Sequence, residues 1–381
     1  MILRNAEIFD KDFRLVRADI AVEGDRIAKV GPDLHGKDEV DCSGCLITPG
    51  FVDIHIHGCA GADTCDGKRE SVAAMAAHLV RQGVTSFCPT TMTVPLPQIE
   101  AALAAVRDCM ENPPEGAAVL GANMEGPYIS EKRLGAQKKE AVRKPDWQEF
   151  ERLNQNCGGI VRLVDMAPEC EGAEEFIRRI SRSCCVSIAH TDAGYEQAKA
   201  SFGWGVTHAT HLFNAMNGLN HRAPGVVGAV FDDPNVRAEI ICDGFHIHPA
   251  VLRIAFRILG ENRTVVISDS MRAAGLPDGI SELGGQKVYI KDGHARLADG
   301  TIAGSTTNLL QEVQNLVRFG VPLRQAVQSA TINPAREVGA EDETGSICAG
   351  KYADLAVLDG GLGLRFTVAR GRVFRRQTAG K

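Results

Sequence analysis

From residue 50 onward, short runs of β-branched and apolar residues alternate with longer stretches in which apolar positions recur every three or four residues. The short runs predict strands over 51–57, 84–89, 118–124, 160–166, 184–190, 206–211, 237–242 and 265–269. The stretches between them predict helices, for example over 68–82, 96–111, 173–183 and 249–259. Eight such strands with intervening helices close most simply into a parallel (β/α)8 barrel of TIM type. After the eighth strand, 281–297 reads as a hairpin excursion, and 306–319 and 323–329 return to helical period.

The two ends of the chain have a different texture. Residues 1–9, 18–22, 26–30 and 46–48 read as short strands separated by turns, and the strand pattern returns in 350–359 and 366–374. A β segment at each end of a barrel predicts that the ends pair with each other. We expect a small β-sandwich module from 1–49 and 346–381, and a barrel over 50–345. A chain of 381 residues suits that division, because a barrel takes about 250 residues.

Charge narrows the function classes. The chain carries 42 basic and 48 acidic residues, scattered along its length, so no basic face is available to follow a nucleic-acid backbone. The apolar runs are interrupted well before 18 residues, and Met1-Ile-Leu-Arg-Asn5 lacks a basic region followed by an apolar one. A cytoplasmic protein is expected, with no membrane partner. Twelve cysteines are too sparse for a secreted disulfide scaffold, and Cys88, Cys184, Cys185 and Cys242 fall in apolar runs. Cys42-Ser-Gly-Cys45 has metal or redox spacing, but no second CxxC completes a four-thiolate site.

The chemistry concentrates at the ends of the expected strands. Asp53-Ile-His55-Ile-His57 closes the first of them. Side chains two apart on a strand point the same way, so both imidazoles face the mouth where barrel enzymes place their chemistry. Alone, the pair reads equally well as two core histidines. Four further residues end or follow other strands: Glu125 the third, His190 the fifth, His211 the sixth and Asp269 the eighth. Histidines with carboxylates and no thiolate suit Zn2+ or Fe2+. The fourth strand ends in Leu163-Val-Asp-Met-Ala-Pro168, which offers no lysine to bridge two ions, so that task falls to Glu125. His35, His78 and His294 read as surface or loop histidines.

From Thr-Pro-Gly-Phe-Val-Asp (48–53) to Gly-Lys-Tyr-Ala-Asp-Leu (350–355), the sequence resembles the N-acetylglucosamine-6-phosphate deacetylases, within the amidohydrolase superfamily. The motifs that carry the resemblance are Glu125-Gly-Pro-Tyr, His190-Thr-Asp, Thr210-His-Leu-Phe-Asn-Ala-Met, His221-Arg-Ala-Pro-Gly, Asp243-Gly-Phe-His, Ser268-Asp-Ser-Met and Ile302-Ala-Gly-Ser. It implies that Glu125, His190 and His211 hold a principal metal, with His55 and His57 holding a second ion where one is bound. It assigns the sugar phosphate to Asn214, Ala215, Arg222 and His246, and the sugar to Ala136 and to Ile302, Ala303 and Gly304. It also implies a homodimer in which Arg222 can reach the neighbouring subunit's site. Some members have a histidine where this chain has Gln137, which still hydrogen-bonds but adds no charge.

The expected reaction is hydrolysis of the acetamide of N-acetyl-D-glucosamine 6-phosphate to D-glucosamine 6-phosphate and acetate, with Asp269 as general base and then acid. Two other readings compete. An amidohydrolase for a different N-acetylhexosamine phosphate or an N-acyl amino acid would keep the metal residues without needing the sugar-phosphate motifs. A barrel that survives only as an interaction scaffold has no physical reason to keep five ligands and Asp269.

Overall fold

The alternation from residue 51 onward becomes a ring of eight parallel strands in the computed structural model, which describes residues 1–375. They are Phe51–Ile56, Val84–Thr91, Ala122–Glu125, Val161–Met166, Cys185–Ile188, Val206–Ala209, Arg237–Ile240 and Thr264–Val266. Neighbours in the chain are neighbours in the sheet. Phe51 stands opposite Val84, Asn123 opposite Thr90, Glu125 opposite Asp165, Ser187 opposite His208 and Glu239 opposite Val265. The seam between the last strand and the first is closed by Asp269 N to His55 O at 3.0 Å, His57 N to Ser270 O at 2.9 Å and Ser268 N to Asp53 Oδ1 at 3.3 Å. The protein is a (β/α)8 barrel.

Helices form where the apolar spacing is tightest. Leu96–Glu111 buries Ile99, Ala102, Leu103, Val106 and Cys109, one stripe at three- and four-residue intervals, and starts with proline in its first turn, where a missing N–H costs nothing. Leu309–Arg318 is started by Asn308, whose side chain accepts from Gln311 N at 3.0 Å, a cap worth about 1 kcal/mol. Two expectations need correction. The strand expected over 118–124 is two pieces, Ala118–Val119 and Ala122–Glu125, parted at Gly121, whose φ of 152° an L side chain rarely adopts. The strand expected over 366–374 is a hairpin of Leu364–Ala369 and Arg372–Arg375, turned at Arg370 and Gly371 on left-handed backbone.

The terminal segments share one sheet. Leu46–Pro49 pairs in parallel with Ile2–Phe9 and antiparallel with Leu355–Leu358, so the two ends of the chain meet across that strand. Leu3, Ile8, Ile20, Ile27, Ile47, Leu355, Val357 and Val368 form its own buried cluster. Residues 376–381 of the expected module lie outside the described residues. The excursion after the eighth strand is a three-stranded meander, Gly279–Leu283, Gln286–Lys291 and His294–Arg296. It folds back over the barrel mouth, where Gln286 Nε2 donates to Ala136 O at 2.6 Å. Among the described residues no helix is long and apolar enough to cross a membrane.

Candidate metal centre and substrate pocket

Three of the residues expected at strand ends lie just beyond them. His190, His211 and Asp269 follow the last paired residues Ile188, Ala209 and Val266, at φ of 43°, 29° and 47°. Left-handed backbone at a non-glycine residue costs about 1–3 kcal/mol and persists only where its surroundings over-determine it. Here hydrogen bonds supply that constraint. His190 O accepts from Ser130 N at 2.9 Å, and His211 O from Asn214 N at 2.9 Å. Asp269 donates its N–H to His55 O at 3.0 Å and accepts from Ser305 N at 2.7 Å. The bend turns each side chain off the strand and into the mouth.

There the polar groups converge. Glu125 Oε1 lies 3.0 Å from His190 Nε2 and 3.1 Å from His211 Nε2, while Oε2 lies 3.4 Å from His57 Nε2. Asp269 Oδ1 is 3.3 Å from His57 Nε2 and 3.7 Å from His55 Nε2. Three of the four imidazoles have Nδ1 committed elsewhere: His55 to Glu239 Oε2 at 3.0 Å, His57 to Thr90 O at 3.3 Å and His190 to Arg133 O at 2.9 Å. A proton held on Nδ1 leaves the Nε2 lone pair for a metal. Two sets, His55–His57–Glu125 and Glu125–His190–His211, have ligand atoms within 4.8 Å of one another and share the carboxylate. Among the described residues the buried Nε2 of His55 has no hydrogen-bond partner. All-N/O donor sets with an orphaned ring nitrogen fit a divalent cation.

Burial opposes charge on Glu125, yet His190 beside it and hydrogen bonds from His190 and His211 hold its carboxyl well below the usual range. Burial likewise opposes charge on Asp269, and the hydrogen bond from His57 with the charge of His55 holds it low. Asp165, at the end of the fourth strand where no lysine stands, behaves oppositely. Burial and the nearby Glu239 push it up to about 7.

A cavity of about 230 Å3 opens onto these groups. His57, Glu125, His190, His211 and Asp269 line it together with Ala136, Gln137, Asn214, Ala215, His246, Ile302 and Gly304. Ala303 is fully buried behind that wall. Arg222 is exposed on the 217–224 loop and does not reach the lining, its N–H accepted by Asn220 Oδ1 at 3.2 Å. Gln137 is only 5% exposed and its amide is engaged at both ends, Nε2 donating to Glu125 and Oε1 accepting from Thr93 N at 2.7 Å. His246 is oriented by Asp243, which accepts from its Nδ1 at 2.7 Å and from the N–H groups of Phe245 and His246 at 2.8 Å each. His294 is exposed, as a surface histidine should be, and stacks on Phe245 with ring centroids 3.9 Å apart.

Residues that sequence reading passed over lie beneath the mouth. His208 Nδ1 is 3.0 Å from Glu337 Oε2 and its Nε2 is 3.3 Å from Glu239 Oε1, all three buried. A charged residue within an otherwise apolar strand run, as at Glu239 or Asp165, was the available signal. Burial disfavours charge on His208, but Glu337 and Glu239 outweigh it and hold the imidazole up to about 10. Its folded value thus exceeds the 6.5 of a free imidazole, so the stability it contributes is complete below about pH 6.5 and is lost as pH rises through about 10. His208→Gln is expected to cost about 3–5 kcal/mol at pH 6. Denaturant titrations should show the gap to wild type closing toward pH 10, and a gap independent of pH would remove His208 as a charged partner.

The amidohydrolase family model matches residues 46–375. N-acetylglucosamine-6-phosphate deacetylase of Bacillus subtilis is 37% identical over 333 residues, covering 86% of this chain and 84% of the relative. N-acetylgalactosamine-6-phosphate deacetylase of Escherichia coli is 38% identical over 319 residues, covering 83% and 84%. Among solved structures, an N-acetyl-D-glucosamine-6-phosphate deacetylase mutant from Mycobacterium smegmatis, in complex with N-acetyl-D-glucosamine 6-phosphate, superposes with a TM-score of 0.92 at 30% identity and 98% coverage of both chains.

Proposed function

The chain belongs to the amidohydrolase family, and on that footing we propose that it deacetylates N-acetyl-D-glucosamine 6-phosphate, releasing D-glucosamine 6-phosphate and acetate. The observation that carries the reading is the content of one cavity: a carboxylate-bridged histidine cluster, Asp269, and the polar groups of Asn214 and His246 share its walls.

Glu125, His190 and His211 would hold the principal ion, and His55 and His57, with Glu125 shared, a second; Zn2+ and Fe2+ both suit these donors. Such an ion lowers the pKa of water toward about 7 and polarises the acetamide carbonyl. Asp269, ionised and held at the cavity wall, accepts the proton of the attacking water as the new C–O bond forms. The same carboxyl then protonates the departing amine as the C–N bond breaks. His246, with Nδ1 tied to Asp243, presents Nε2 to the sugar phosphate, and Asn214 and Ala215 lie on the same wall. We place the enzyme in the cytoplasm, where sugar phosphates are made and used.

The test is acetate release from N-acetylglucosamine 6-phosphate and from the unphosphorylated sugar, before and after chelation and metal add-back. Metal-dependent release from the phosphorylated sugar is expected. N-acetylgalactosamine 6-phosphate belongs in the same assay because of the Escherichia coli relative, and faster turnover of it would reassign the hexosamine. Hydrolysis of neither phosphate would favour an acylase for N-acyl amino acids.

The position of Arg222, exposed and away from its own cavity, supports a homodimer in which it completes the partner's phosphate site. Arg222→Ala is then expected to raise KM strongly with little change in kcat. Mixing inactive Asp269→Asn chains with Arg222→Ala chains should restore activity at low substrate, because a mixed dimer holds one site with both residues intact. No recovery on mixing would place Arg222 in its own subunit's site or outside the reaction.

A further inference from the structure

A single oxygen beneath the mouth links the two halves of the metal centre. Glu239 Oε2 lies 3.0 Å from His55 Nδ1 and accepts from His211 N at 3.3 Å. His55 belongs to one ligand set and His211 to the other. Glu239 stands on the seventh strand, 184 residues along the chain from His55, and is fully buried. Its other oxygen, Oε1, faces His208 Nε2 at 3.3 Å. His208 is backed in turn by Glu337, whose Oε1 accepts from Arg237 Nη1 at 2.7 Å. A line of alternating acids and bases thus runs from the metal centre through the barrel interior to Arg237, half-exposed at the start of the seventh strand.

The two contacts of Oε2 act on different parts of their partners. At His211 the carboxylate takes a backbone N–H and helps hold the left-handed bend, and the ring is untouched. At His55 it takes the ring nitrogen itself. That contact holds the proton on Nδ1, leaves the Nε2 lone pair on the cavity side, and raises its donor strength. Among the described residues His55 has no other strong anchor for Nδ1, since Asp165 Oδ2 is 3.8 Å away.

We propose that Glu239 is a positioning residue for the second ion: it fixes the tautomer and aim of His55, while its other oxygen faces the buried His208. The role rests on the two-ion reading of the centre given above. It predicts a split between the ions, because in the principal set His190 keeps its ring anchor on Arg133 O and Glu239 touches His211 only at the backbone N–H.

Glu239→Asp keeps the charge facing His208 but withdraws both oxygens by about one C–C bond, and Glu239→Gln keeps the reach while removing charge and one acceptor. Apo protein of each variant and of wild type is titrated with Zn2+ under a competing chelator, with bound metal counted by elemental analysis and folding followed by circular dichroism. Both variants should bind the first ion as wild type does and the second about 10–100-fold more weakly. A role limited to packing would lower the melting temperature and leave the two affinities unsplit. Uptake of two ions at wild-type affinity by both variants, or a parallel loss of both ions, overturns the positioning role alone. A wild-type chain that takes up one ion only overturns the two-ion reading and this role with it.

Discussion

Asp269→Asn should fold, keep its metal and lose turnover by roughly 10³–10⁴-fold. The size follows from the double duty of the carboxylate: the amide analogue can neither accept the proton of the attacking water nor deliver one to the amine. The fold should survive because the change is isosteric and Asn tolerates the left-handed φ of 47° that this position requires. The contact 3.3 Å from His57 Nε2 also loses its charge, so metal content must be measured beside kcat. A metal-replete variant with kcat within tenfold of wild type would take Asp269 out of the proton transfers.

Glu125→Gln is expected to strip the centre. Both oxygens of Glu125 serve the cluster, one toward His190 and His211 and the other toward His57, and an amide offers one oxygen and no charge. Loss of both ions should take acetate release down to below about a thousandth of wild type, because without Lewis-acid activation water at neutral pH is too weak a nucleophile for an amide. There is a stability consequence of defined sign. The Glu125 carboxyl is held well below the ordinary carboxylate range, so in metal-free protein its contribution is present above about pH 4.5 and is lost as pH falls through the depressed folded value. Metal-free wild type should therefore be more stable than metal-free Glu125→Gln at pH 7, and the difference should shrink on acidification. Two tightly bound ions in the variant would show that Glu125 is not the bridge.

Much of the barrel was legible along the chain because its signals are local. The helix over 96–111 and the one over 323–329 coincide with Leu96–Glu111 and Leu323–Ser329, since apolar spacing and a proline at or just before the first turn act within a few residues. The pairing of the two ends followed from strand texture before and after the barrel, and Leu46–Pro49 joins them. His55, His57, Glu125, His190, His211 and Asp269 could be singled out because polar residues at the end of an apolar run need a reason to be there. All six converge at the mouth.

What the sequence could not supply depends on groups far apart in the chain. Nothing local marks His190, His211 and Asp269 as left-handed; the bend is imposed by acceptors and donors on Ser130, Asn214, His55 and Ser305. In the sequence Gln137 stands as an uncharged substrate contact, and closure of the mouth places its amide between Thr93 and Glu125. Residue types and their order along the strands therefore determined the barrel, the metal-binding character and the carboxylate of Asp269 at its mouth, because periodicity and strand-end position are written in neighbouring residues. Ring closure alone decided which nitrogen of each imidazole faces the cavity, that Arg222 lies outside it, and that Glu239, His208 and Glu337 form a buried line beneath. Those contacts reach as far along the chain as the 184 positions between His55 and Glu239, and their energies exist only once the strands have met.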